Sequence, residues 1–198
     1  MNMKNIPFAR PIIEEEEKLC VSEVLNGYTL THGPKCADFE KKFSKFVGTK
    51  NAISTSSCTT ALQLCLMASN VKNGDEVILP AMTHVATAHV VEHVGAKPVF
   101  VDVEKNTGNM NVNSILKLIN NKTKVIMPVH YLGLPCDMEL IMNIAKKYNL
   151  IVIEDCALAL GSTYNGSKVG SIGDAGCFSF YPSKHMTTLE GGMVTSNS

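Results

Sequence analysis

The sequence predicts an α/β protein of three layers, α/β/α, built on a mostly parallel sheet. Two observations carry this. Short β-type runs at residues 52–54, 76–79, 98–103, 124–130 and 150–154 alternate with segments of helical period at 59–68, 87–94, 112–119 and 138–148. That is the rhythm of strand, helix and strand in a parallel sheet covered on both faces. Several runs, such as Ile151-Val152-Ile153 and Val125-Ile126-Met127, are apolar without alternation, as strands buried on both sides are.

Composition bounds the partners. The 198 residues fit one generous domain but not two full ones. Eighteen basic residues balance eighteen acidic ones, so no overall field draws the chain to nucleic acid or to an anionic membrane surface. An anion has to be bound locally. Residues 1–11 hold no apolar core of signal-peptide length, and no stretch approaches about 18 uninterrupted apolar residues. The expected location is cytoplasmic. Seven cysteines, an odd number with no C-x-x-C pair, sit mostly in apolar runs and read as reduced core thiols. In such a compartment the sequons at Asn121 and Asn165 carry no meaning.

Taken in order, residues 14–25 place Leu19, Val21, Val24 and Leu25 behind an acidic run, as in a helix with carboxylates at its positive end. Residues 28–34 hold two helix breakers and read as a loop or extended arm. A second amphipathic helix then carries Phe39, Phe43 and Phe46 and stops at Gly48. After the strand and helix alternation, residues 177–180 and 192–195 read as two further strands. In an open α/β sheet ligands sit beyond the carboxyl ends of the strands, so the loops there are the place to seek chemistry.

Those loops carry the candidate residues. Thr55-Ser56-Ser57-Cys58-Thr59-Thr60 opens a helix after the first strand of the alternation; free N–H groups and hydroxyls there form either a phosphate site or an ordinary N-cap. Asp155 ends a buried strand and needs a donor or cationic partner; a protonated pyridine nitrogen is one, and capping a turn is the alternative. His84, in the loop after residues 76–79, could lie flat against a planar ring or be a loop histidine with a satisfied hydrogen bond. Lys184 follows a short apolar strand and precedes Gly191-Gly192. It could hold an aldehyde cofactor as a Schiff base, though most lysines are solvated surface groups. His89-Val90-Val91-Glu92-His93 matches H-x-x-E-H, a zinc pattern, without an evident third ligand.

With these pieces in order, the chain resembles the DegT/DnrJ/EryC1/StrS family of pyridoxal-phosphate-dependent sugar aminotransferases, of the aspartate aminotransferase-like fold. The resemblance runs from Ile6 to the last residue. It rests on Gly33-Pro34 with Phe39-Glu40, Ser57 to Leu62, Pro80 to Thr87, Pro128 to Gly133, Glu154-Asp155-Cys156-Ala157, and Phe178 to Lys184 with Glu190-Gly191-Gly192. It implies that Lys184 is the Schiff-base lysine and proton shuttle, and that Asp155 partners the pyridine nitrogen. The backbone at Cys58 and Thr59, with the hydroxyls of Thr59 and Ser179, would bind the phosphate of pyridoxal 5′-phosphate, and His84 would stack on its ring. The implied reaction takes an amino group from glutamate and gives it to a nucleotide-linked keto sugar, for amino-sugar or polysaccharide synthesis. A desolvated site would favour the neutral lysine this requires.

Three departures qualify the resemblance. Cys58 stands where the family commonly has Gly. Leu158 stands where many members place a Gln or His, and so enters as a wall residue. Residues 1–34 read as a helix and arm and 35–198 as the cofactor-binding large domain, with no C-terminal small domain. The complete protein is expected to be a homodimer. The competing readings are a truncated, non-catalytic binding or interaction domain, and a related deoxysugar dehydratase. The dehydratases have His at the position of Lys184, which argues against them.

Overall fold

A computed structural model describes Pro7 and residues 9–198. Ile6, where the resemblance was taken to begin, and the start of the expected N-terminal segment lie outside the described residues. The chain runs α1 (Glu15–Leu25), α2 (Pro34–Val47), β1 (Asn51–Thr55), α3 (Cys58–Ala68), β2 (Glu76–Pro80), α4 (Val85–His93) and β3 (Lys97–Val101). It continues with α5 (Val112–Ile115), β4 (Thr123–Ile126), a 3-10 turn at Tyr131–Gly133, α6 (Met138–Tyr148), β5 (Ile151–Asp155), β6 (Thr163–Tyr164), β7 (Ser167–Lys168), β8 (Ala175–Ser179) and β9 (Gly192–Ser196).

Seven strands form one sheet in the order β1-β9-β8-β5-β4-β2-β3. All neighbours are parallel except β9, which runs antiparallel to both β1 and β8. The continuous apolar runs divide their side chains between two cores, because successive strand residues point to opposite faces. Val77, Leu79, Val125, Met127 and Ile153 pack with α3 and α4. Ile78, Ile126 and Val152 pack with α5 and α6. The three layers expected from the sequence are therefore present, and the central strands β2, β4 and β5 are anchored from both sides.

A third core fastens α2 beside the sheet. Phe43 meets Phe178 at 5.0 Å and Phe180 at 5.4 Å between ring centroids, both edge-on, and Phe39 lies 5.2 Å from Phe180. Phe46 lies toward the rim, where Lys168 Nζ sits 4.6 Å from its ring centre. This aromatic wedge holds the exit of β8, where the chain turns toward Lys184. By contrast α1 buries none of its residues, and Leu19, Val21 and Leu25 are exposed.

Element boundaries depart from the sequence reading at three places. The helix expected over 112–119 spans only Val112–Ile115; Asn120 bonds Leu118 O and Thr123 Oγ1, turning the chain early. The strand expected over 124–130 pairs regularly only through Ile126, because Pro128 has no N–H to donate. Its carbonyl still accepts from Asp155 N at 2.8 Å, so the segment stays extended beside β5. The β6–β7 hairpin was not foreseen. Asn165 and Gly166 both have positive φ, 48° and 82°, the pair that a tight two-residue turn requires.

Candidate active site

The carboxyl ends of β1, β2, β5 and β8 converge on one rim, and antiparallel β9 begins there. Thr55, Gly192 and Ser179 are register neighbours across β1, β9 and β8. At this rim lies a cavity of about 390 Å³. All seven residues singled out from the sequence line it: Cys58, Thr59, His84, Asp155, Leu158, Ser179 and Lys184.

The floor is the start of α3. Ser57 is its N-cap, its Oγ accepting from Thr60 N at 3.1 Å, so the ordinary capping reading is geometrically correct. Yet one cap serves one donor. Among the described residues the N–H groups of Cys58 and Thr59 have no partner, as the first turn of a helix leaves them, and the Thr59 hydroxyl makes no hydrogen bond. Three donors therefore remain at the positive end of an 11-residue helix.

Gly192 sets the height of that floor. A Cβ at this position would lie 2.6 Å from both Cys58 N and Ser57 O, far inside contact distance. Gly192→Ala is therefore expected to push the α3 start away from the sheet, costing about 1–3 kcal/mol of stability. It should also weaken phosphate-ligand binding. Thermal melts and a pyridoxal phosphate titration check both; an alanine variant that melts and binds like the parent would remove Gly192 from the site's construction.

Asp155 closes the wall. It is 5% exposed and accepts from Thr87 Oγ1 at 3.0 Å and Ala157 N at 3.1 Å. The Cys58 thiol lies 3.9 Å from its Oδ1. The turn-capping reading of Asp155 is thus also met, by Ala157. Burial pushes the Asp155 carboxyl above its ordinary value, opposed by the Ala157 and Thr87 hydrogen bonds and by the nearby His130 and Lys184. A raised carboxyl means that the folded chain binds a proton more tightly than the unfolded one. Stability therefore falls as pH rises from the ordinary value of 3.8 toward the folded value. Asp155→Asn should flatten that fall, measurable as melting temperature against pH without any ligand. An Asn variant with the parent's profile would show that another group carries it.

The remaining residues differ in exposure. His84 is exposed and caps α4, its Nδ1 accepting from Ala86 N at 3.2 Å; it is a satisfied loop histidine that also faces the cavity. Leu158 supplies apolar wall. Lys184 is half-buried, and its Nζ makes no hydrogen bond or ion pair among the described residues. Burial, then Asp155, push the Cys58 thiol well above its usual value, so it stands as a neutral wall. His89 and His93, from the H-x-x-E-H pattern, are exposed on α4 outside the cavity, their rings 6.3 Å apart.

Sequence reasoning missed the residues that support these. Thr87 is fully buried against Asp155. Glu154 and His130, also fully buried, pair at 3.0 Å. Tyr181, Glu190 and Tyr131 complete the lining. Thr87 and His130 fell inside quoted motifs, but only a folded chain shows which hydroxyl or ring turns inward. His130, Glu154 and Cys156 offer ligand atoms within 4.8 Å of one another. Backbone and side-chain donors already occupy Glu154, and Nδ1 of His130 accepts from Cys136 N.

A seven-stranded, mostly parallel sheet with one antiparallel strand and a cavity at its carboxyl rim defines an α/β protein with its site where such sheets bind ligands. Residues 11–198 match the profile of the DegT/DnrJ/EryC1/StrS aminotransferase family, and the chain belongs to that family. GDP-perosamine synthase of Escherichia coli O157:H7 is 45% identical over 98% of this chain and 54% of its own length. The spore coat polysaccharide biosynthesis protein SpsC of Bacillus subtilis is 43% identical over 97% of this chain and 49% of its own. A Streptococcus pneumoniae protein described as a sugar aminotransferase, solved in a PLP form, superposes with a TM-score of 0.94 at 38% identity, over 98% of this chain and 54% of that one. The chain thus spans about half the length of the curated relatives it matches. Among the described residues no helix is long and apolar enough to cross a membrane.

Proposed function

We propose that this chain forms the pyridoxal 5′-phosphate site of an aminotransferase that moves an amino group from glutamate to a nucleotide-linked keto sugar. The observation that carries the reading is the convergence of Lys184, Asp155 and the free α3 donors on one cavity. The residues fit the cofactor by chemistry. Unpartnered N–H groups suit a phosphate, a buried carboxylate suits a cationic ring nitrogen, and an amine without a partner suits an aldehyde. The names of relatives, a GDP-perosamine synthase and a polysaccharide biosynthesis protein, support an amino-sugar product.

The bound cofactor supplies an electron sink for the carbon that exchanges its proton. The protein's part is positioning and proton transfer. Cys58 and Thr59 would donate their free N–H groups to the phosphate, joined by the hydroxyls of Thr59 and Ser179. Asp155 would be the partner of a protonated ring nitrogen. His84 and Leu158 would bound the ring. Lys184 Nζ would hold the cofactor's aldehyde and, as a free amine, could take and return the proton that the substrate carbon exchanges. The complete protein works as a homodimer in this reading.

Borohydride reduction in the presence of pyridoxal phosphate, followed by peptide mapping, tests the centre of the proposal. Label on Lys184 is expected; label on another lysine, or none, overturns it. Glutamate added to the loaded chain should release stoichiometric 2-oxoglutarate without a sugar acceptor. A labelled Lys184 with no 2-oxoglutarate would favour a binding domain without turnover.

A further inference from the structure

Thr87 lies on α4, in the layer of helices that covers one face of the sheet, and is fully buried. A buried hydroxyl needs partners for both its proton and its lone pairs. Here the two are ordered. Thr87 Oγ1 is 3.0 Å from Asp155 Oδ2, and a charged carboxylate only accepts, so Thr87 donates to it. The second contact, Thr83 Oγ1 at 2.8 Å, is then left to donate to Thr87. The result is a directed chain, Thr83 to Thr87 to Asp155, reaching the carboxylate from a helix that holds no other link to it.

The other Asp155 oxygen is held by Ala157 N and approached by Cys58 Sγ. Each oxygen thus has one firm donor, and the carboxylate plane is fixed by two elements, the turn after β5 and α4. The charged or titratable groups around it are Lys184 from the loop after β8, His130 and Cys136 from the segment between β4 and α6, Cys58 from α3, Glu154 and Cys156 from its own stretch, and Cys177 from β8. None of them makes a hydrogen bond of ordinary length to Oδ2. Among the described residues Thr87 is the single side chain that does.

We infer that Thr87 is the positioning residue of Asp155, its hydroxyl, oriented by Thr83, keeping the buried carboxylate charged and fixed in plane at the cavity wall. The catalytic value of this rests on the proposed role of Asp155 toward a ring nitrogen. The device itself exists without any ligand, which keeps its test separate. A hydroxyl that donates to the charged form loses that donation when the carboxyl is protonated, so it holds Asp155 ionised at lower pH than burial alone would allow.

The test follows the Asp155 side-chain carbon by NMR through a pH titration of the 198-residue chain, assigned by its absence in Asp155→Asn. Thr87→Val keeps the shape and removes the hydroxyl; Thr87→Ser keeps the hydroxyl. The Val variant is expected to raise the Asp155 midpoint by about one pH unit or more, and the Ser variant to restore it to near the parent value. A role in packing alone predicts the reverse ranking, with Val tolerated and Ser disturbed. A Val midpoint within about 0.2 unit of the parent, well under the shift one hydrogen bond to a charge should give, overturns the inference. If Thr87→Val does not fold, Thr83→Val serves instead; it should move the midpoint upward in the same direction, and an unchanged midpoint overturns the inference equally. Borohydride labelling of Lys184 in these variants reports on the cofactor reading independently, because a failed label leaves the titration intact.

Discussion

Lys184→Ala is expected to abolish both the reductive label and the formation of 2-oxoglutarate, the latter by at least about 10²–10⁴-fold, the usual worth of a positioned acid–base group. Among the described residues Lys184 is the only amine lining the cavity, so none of them can substitute; His185 is exposed and is not among the lining residues. Lys184→Arg separates charge from proton transfer. It keeps the cation but cannot lose its proton near neutral pH, so its activity should fall as far as that of the alanine variant. Non-covalent binding of pyridoxal phosphate, followed by fluorescence, should survive in both, because the α3 donors and Asp155 are untouched. An active alanine variant would move the chemistry to another residue.

The largest effect on stability is expected at Glu154. Its carboxylate is wholly buried and accepts four hydrogen bonds: His130 Nε2 at 3.0 Å, Gly170 N at 2.9 Å, Ile172 N at 2.9 Å and Gly173 N at 2.7 Å. Because Nδ1 of His130 accepts from Cys136 N at 3.1 Å, the ring proton sits on Nε2 and is donated to Glu154. Glu154→Ala would orphan all four donors in a fully buried site, at a cost of about 3–5 kcal/mol, as when a buried ionic partner is removed. Glu154→Gln keeps the shape but turns an NH2 toward donors, and should lose less. Denaturant melts measure both. Damage should reach the cavity, since Glu154 adjoins Asp155 and the 170–173 turn it holds leads directly into β8. An alanine variant within about 1 kcal/mol of the parent, the size of a single ordinary hydrogen bond, would mean that the turn is held by its backbone alone.

The strand and helix rhythm was legible because it is local. Whether a run such as Ile151-Val152-Ile153 is covered on both sides shows in its own composition, and Gly48, left-handed at φ 92°, ends α2 by its own conformational preference. Loop positions followed from the carboxyl-end rule, and the resemblance to the family singled out the seven residues within them. The Asn165-Gly166 turn was equally local. It was passed over because Asn165 was read only as a sequon. The short α5 and the early end of β4 were harder, since side-chain bonds to Asn120 and the missing N–H of Pro128 decided them.

What the sequence by itself determined is the class of fold, the family, and which loops carry the candidate chemistry. Each of these depends on residue type and on spacing along the chain. What only the tertiary structure decided is the wiring beneath the site. Thr87 meets Asp155 across 68 residues and Cys58 approaches it across 97. β9 inserts antiparallel between β1 and β8, so that Gly192 can press on the start of α3. The physical reason is the same in each case. Hydrogen bonds and close contacts between distant segments depend on which side chains a packed core turns inward, and no local pattern encodes that direction.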